Sequence, residues 1–253
     1  MSRIVDVPVL TFILSFIVQW ISAQAGDVFR KRTHPLPTDE REDFTVVLTA
    51  TLTLLGLIIG FTFSMAISRY DLRKNYEEAE ANAIGTEYLR ANLLPAPEAG
   101  KVRDLLKKYV ELRVAFYESR GGAELDRVNA DTAQLQNELW SIVQTAGIAQ
   151  PTQVIALAVS GMNDVLNSQG YTQAAWWNRI PGAAWALMVA IAICCNLLIG
   201  YGAHRTERTL FLVVPLAVSI SFFLISDIDS PRSGIIRVIP QNLVSLAQSF
   251  PAQ

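Results

Sequence analysis

From Thr45 to Ile67 the chain carries no charged residue, and it then runs without a proline or glycine into Ser68-Arg69-Tyr70-Asp71-Leu72-Arg73-Lys74. As a helix, these 23 residues extend roughly 35 Å, enough to cross a hydrocarbon layer about 30 Å thick with some tilt. Nothing at Ile67 ends a helix. The same helix is therefore expected to leave the bilayer and continue into water.

Three further segments, Val7 to Gly26, Ile180 to Ala203 and Thr209 to Ser226, also lack Asp, Glu, Lys and Arg. The last is the shortest and contains Pro215, which a spanning helix tolerates with a mild kink. The small-x-small run Ala23-Gln24-Ala25 has the form of a signal-peptide cleavage site, but the region before the apolar run holds only Arg3, cancelled by Asp6. The first segment is therefore expected to be a membrane helix entered at Pro8, a permitted first-turn position. These spacings predict an all-α polytopic membrane protein with four spans. Residues 1–67 hold the first two spans, 68–179 a helical cytoplasmic region, 180–229 the last two spans and 230–253 a C-terminal cytoplasmic segment.

The near balance of 21 basic and 23 acidic residues argues against a nucleic-acid binder. Four crossings put both termini and the long middle segment on one side. Counting basic residues near the span ends gives seven on that side, including Arg69, Arg73, Lys74 and Arg179, against six on the other. That count does not orient the chain, although the cluster after the second span favours a cytoplasmic middle segment in the cell (inner) membrane.

In the middle segment apolar residues recur at three and four, with no strand alternation. The helix leaving the membrane should stop near Leu94, before Pro95 and Pro97. A second helix carries Leu105, Tyr109, Leu112 and Phe116 on one face and ends at Gly121-Gly122. A third carries Leu125, Val128, Leu135, Leu139 and Ile142, and a fourth runs from about Pro151 towards Trp176. Single apolar stripes must be buried, in an antiparallel bundle or between subunits. Glu77, Glu78, Glu80 and Glu87, on the exit helix, are expected on a solvated face.

Within the second span, Gly56, Gly60 and Ser64 form a small-residue stripe suited to close helix approach. About 100° around the helix lies a column of Thr49, Thr53, Leu57 and Phe61. In an arbitrary membrane protein Leu57 and Phe61 would face lipid or a neighbouring helix.

Other chemistry is sparse. Cys194 and Cys195 are neighbours inside the third span, which suits packing and offers neither a disulfide framework nor zinc-ligand spacing. His34 and His204 fall in the two short loops and, lacking nearby cysteines, are expected to be exposed. No metal site or cofactor is assigned. The sequence holds no HExxH, nucleophile elbow, phosphate loop or dinucleotide fingerprint, and the spans lack ionisable side chains, so no enzyme is expected. Gln19 and Asn196 are the polar residues deep in the first and third spans, where interhelical hydrogen bonds are the common role. Trp176, Trp177 and Trp185 fit an interfacial belt at the start of the third span.

Gly60-Phe61, seven further residues and then Arg69-Tyr70 resemble the glycine-phenylalanine, seven residues, arginine-aromatic pattern in the second membrane helix of bestrophins. Asp227-Ile228-Asp229-Ser230-Pro231-Arg232-Ser233-Gly234 is similar to the acidic, proline, glycine sequence after their final membrane helix. The run from Glu78 to Thr86 further suggests the bacterial bestrophin-like family. The layout matches over nearly the whole chain, while identity is confined to these short motifs.

Bestrophins are pentameric ion channels whose second helices line a narrow apolar neck. The resemblance implies a homo-oligomer, pentameric if it follows the family, with inorganic ions and membrane lipid as its partners. The neck would fall on Phe61, Leu57 and Thr53, gating by dewetting. Arg69, Arg73, Glu77, Asp227 and Asp229 would anchor the helices at the cytoplasmic surface or set the charge of the pore. The acidic stretch forms a calcium clasp in animal bestrophins; here it is short, and a structural role is expected, with Asp229 or Ser230 capping a turn led by Pro231 and Asp227 pairing with Arg69 or Arg232. The alternative function is a non-conducting membrane scaffold or sensor signalling through the cytoplasmic helices. A carrier is disfavoured by the absence of broken-helix pairs.

Overall fold

A span rich in threonine needs its hydroxyls satisfied inside the helix, and the second span achieves this locally. Thr51, Thr53 and Thr62 each donate to the carbonyl four residues back, at 2.7 to 2.8 Å, so the polar group is satisfied on its own helix. A computed structural model describes residues 6–32, 40–202 and 210–251. It contains α1 (Pro8–Arg32), α2 (Glu40–Arg90), a 3-10 turn (Ala91–Leu93), α3 (Ala96–Glu118), α4 (Ala123–Ala149), α5 (Gln153–Trp177), α6 (Gly182–Gly202), α7 (Leu210–Asp229) and α8 (Gln241–Ser249). No strand occurs among the described residues. Four helical stretches are long and apolar enough to cross a membrane, and the chain is an all-α, multi-pass membrane protein. His34 and His204 lie outside the described residues.

The helix boundaries follow the expected chemistry. Helix α1 begins at Pro8. Helix α2 runs unbroken through Ile67 for 51 residues and tightens into the 3-10 turn before Pro95. Pro95 and Pro97 then open α3, since a missing N–H costs nothing in a first turn. Thr152 caps α5 by accepting from the Ile155 amide at 3.2 Å. Helix α7 continues past Ser226 to Asp229 and accommodates Pro215 internally.

The chain divides into two units, one comprising residues 1–69 and 179–237, the other 70–178 and 238–253. The expected C-terminal segment is therefore split: its first part belongs with the spans and α8 with the helical unit.

In the first unit α1 packs against α6 and α7. Gly26 and Gly200 set the α1–α6 approach, because a Cβ on Gly26 would strike the Leu197 carbonyl oxygen and one on Gly200 the Ala23 carbonyl oxygen. Backbones this close gain dispersion contacts that larger residues would block. A polar ladder crosses the same core. Asn196 Nδ2 donates to Gln19 Oε1 at 3.1 Å, and Gln19 Nε2 donates to Ser219 Oγ at 3.2 Å. All three residues are buried, and each such bond contributes about 0.6–2 kcal/mol. Trp185 is buried in this unit, its ring edge-on to Phe222 at 6.0 Å.

The second unit closes a core of Ile84, Leu106, Tyr109, Val110, Phe116, Leu139, Val143, Met162 and Val165, with Leu243 of α8 added to it. The apolar stripes of α3, α4 and α5 meet here, so they are buried within one chain. Trp176 corrects the interfacial-belt expectation. It sits in this core, 5.0 Å from Phe116 and 5.5 Å from Tyr117 between ring centres, and of the three tryptophans only Trp177 is exposed.

Candidate functional site

Each candidate neck residue lies on a surface that its own chain leaves open. Only 6% of the most apolar window of the second spanning stretch is buried, against 28%, 28% and 50% for the first, third and fourth. Phe61 is 63% and Leu57 53% exposed, and Thr53 is exposed too. The Thr53 hydroxyl donates to the Thr49 carbonyl at 2.8 Å, which makes this polar position less polar in effect than its side chain suggests. Gly56, Gly60 and Ser64 are likewise exposed, and a Cβ at either glycine would meet nothing within 4 Å. The small-residue stripe therefore packs no helix of the same chain. Within the spans, glycines bring two helix backbones together at Gly26 and Gly200 instead.

The charged candidates divide differently. Arg69 is half-buried, its Nη1 3.5 Å from the Met65 carbonyl. Arg73, Glu77, Asp227 and Asp229 are buried. Arg73 donates to the carbonyls of Ala175 at 3.3 Å and Asn178 at 3.5 Å. Glu77 accepts from the Leu243 amide at 2.9 Å and the Asn242 side chain at 2.6 Å, which places a carboxylate on the N-terminus of α8, where the helix dipole favours negative charge. These four side chains are engaged inside the chain.

The motif after α7 is a tied turn. Asp227 accepts from the amides of Ile235 and Ile236 at 2.7 and 2.8 Å, so its expected pairing with Arg69 or Arg232 is replaced by two backbone donors. Asp229 accepts from the Ile180 amide and from Arg179 Nε at 3.0 Å, and Arg179 also reaches Ser230 Oγ at 3.0 Å and Asp6 at 2.8 Å. Arg179 thus joins the start of α6, the end of α7 and the chain ahead of α1. Among the described residues no group of three or more His, Cys, Asp or Glu side chains is placed to hold a metal.

The expectation of a solvated acidic face on α2 is overturned for Glu77, Glu80 and Glu87, all buried, and holds for Glu78. Arg113 Nε donates to Glu80 Oε1 at 2.5 Å, Thr172 and Tyr117 donate to Oε2 at 3.1 and 3.4 Å, and the Arg113 guanidinium lies 4.3 Å from the Phe116 ring centre. Burial holds the Tyr109 and Tyr117 hydroxyls protonated well above the usual tyrosine range. The signal that finds these residues is spacing. Arg73, Glu77, Glu80, Ile84, Glu87 and Ala91 alternate by four and three, and all six are buried, so the charges occupy core positions of a heptad seam.

The family model for the bestrophin-like domain matches residues 12–243. No curated protein matches the sequence. The fold is similar to that of a bacterial bestrophin homolog from Klebsiella pneumoniae. One crystal structure, solved by zinc phasing, has a TM-score of 0.60 at 16% identity over 96% of this chain and 99% of that one. A point variant of the same homolog gives 0.64 at 13% identity over 95% of each. A further crystal structure of a membrane protein gives 0.61 at 15% identity over 96% and 99%. The structural likeness is one of fold, and the family match, which spans most of the sequence, settles the grouping: the chain belongs to the bestrophin-like family.

Proposed function

We propose that this chain is the subunit of a homo-oligomeric ion channel, pentameric as in the family, whose central path is lined by the apolar stretch of α2. The observation that carries the reading is the bareness of that helix: 6% of its apolar window is buried by its own chain, and the Phe61 ring is 63% exposed. Around an axis, copies of α2 would pack through Gly56, Gly60 and Ser64 and bring Thr53, Leu57 and Phe61 into successive rings. An ion entering such rings loses water without gaining ligands, so the rings act as a barrier that small changes in radius open or close. The protein would sit in the cell membrane with both termini and the helical unit in the cytoplasm.

Counting subunits per particle tests the geometry. Five satisfies it, whereas two removes the central path. An oligomer that carries no current would instead favour a membrane scaffold or sensor. The ion preferred is read from reversal potentials under a salt gradient.

A further inference from the structure

Glu87 lies in the last turn of α2, 20 residues beyond the end of the apolar run at Ile67. Its side chain is fully buried, and neither carboxyl oxygen has a hydrogen-bond partner among the described residues. The carboxyl is pressed against α5 at a glycine: a Cβ on Gly161 would overlap Glu87 Oε2 and crowd the Arg90 guanidinium. The seat is therefore shaped by the missing side chain of Gly161, and the carboxyl fills it.

The charge state follows from that seat. A carboxylate buried without donors forfeits its hydration, whereas a neutral carboxyl costs far less to bury. The C-terminal end of α2 also carries the negative end of the helix dipole, which opposes a second negative charge there. The charged groups facing Glu87 from the two helices that enclose it are Arg90, on α2, and Asp164, on α5, and they act in opposite directions. Burial is the largest influence, Arg90 the next and Asp164 the third, and together they raise the carboxyl from 4.5 to about 8.

We propose that Glu87 is a proton-binding site that fastens α2 to α5, neutral and packed when protonated and disruptive to that packing when ionised. The ligand is the proton itself. The folded chain holds this proton more tightly than the unfolded chain, so stability from this group falls as pH rises from 4.5 to about 8 and is level above that.

Infrared difference spectroscopy of the full chain, with pH as the variable, tests the assignment. The expected result is a protonated carboxyl band at about pH 6 that disappears with a midpoint near 8, absent in Glu87→Gln. Asp164→Asn should move the midpoint down and Arg90→Gln should move it up. The thermal midpoint of the wild type should fall by on the order of 5 °C across the same range, and Glu87→Gln should remove that fall. If Glu87→Gln does not fold, the midpoint shift in Asp164→Asn, at an exposed residue, carries the assignment. A spectrum with no protonated carboxyl at about pH 6, or one whose band ignores both Glu87→Gln and Asp164→Asn, overturns the proposal and makes Glu87 an ionised partner of Arg90.

Discussion

Arg113 and Glu80 form an ion pair with no solvent exposure on either side chain, Nε to Oε1 at 2.5 Å. Two charges taken out of water need each other, since the attraction offsets a desolvation cost of several kcal/mol per ion. Here the remaining carboxylate oxygen is met by Thr172 and Tyr117, and the guanidinium lies over Phe116.

Removing one partner should therefore cost more than removing both. Arg113→Met or Glu80→Gln alone is expected to lower stability by about 3–5 kcal/mol. The Glu80→Met, Arg113→Met pair should recover much of that loss. Chemical unfolding of the four proteins in detergent measures the coupling; a double variant as unstable as the sum of the singles would rule out pairing as the source.

Glu77 predicts a local effect at the C-terminus. Pro240 offers α8 no side-chain cap, and the Glu77 carboxylate takes that role through Leu243 and Asn242. Glu77→Ala leaves the buried Leu243 amide unpaired, at a cost of about 1–3 kcal/mol. Amide exchange across residues 241–249 should accelerate while α4 stays protected, with the Tyr88 and Phe250 rings, 4.2 Å apart between centres, still retaining part of the contact.

Arg179 should act as the tie of the membrane unit. Arg179→Gln separates Asp229 from its guanidinium partner and loosens Asp6 from the end of α7. A loss of about 1–3 kcal/mol is expected, moderated because Arg179 is partly solvated. Calcium or a chelator should leave the thermal midpoint of the wild type unchanged, because Asp227 and Asp229 already accept from backbone amides and Arg179.

Gly200→Val tests the close contact of α1 with α6. Its side chain would have to displace the Ala23 backbone, so at least about 1–3 kcal/mol should be lost, whereas Gly60→Ala should be silent in a monomer and weaken only the oligomer. Thermal melts resolved by oligomer size distinguish the two.

Much of this architecture was legible because charge is costly in hydrocarbon. The uncharged runs at Val7, Thr45, Ile180 and Thr209 located the spans, and Pro8, Pro95 and Pro97 marked helix ends by their missing N–H. The buried face of α2 was not legible in the same way. Arg73, Glu77, Glu80 and Glu87 carry the side chains that usually face water, and only their four-three spacing with Ile84 and Ala91 reveals a core seam. Trp176 is ambiguous in sequence for a related reason, since an aromatic near a span end suits an interface as well as a core and the choice is made by the distant Phe116 and Tyr117. Gly26 and Gly200 lie 174 positions apart, and no local pattern announces that they meet. The proposed neck rests on a different kind of information, because the surface around Phe61 is open in the single chain and only the proposed assembly would cover it.

Current through the purified protein in a planar bilayer, wild type beside Phe61→Ala, tests whether α2 lines an ion path. Ionic current is expected from the wild type, with a larger or more frequent opening once the Phe61 ring is cut back. Silence from both proteins, in particles shown to be folded and oligomeric, would contradict it.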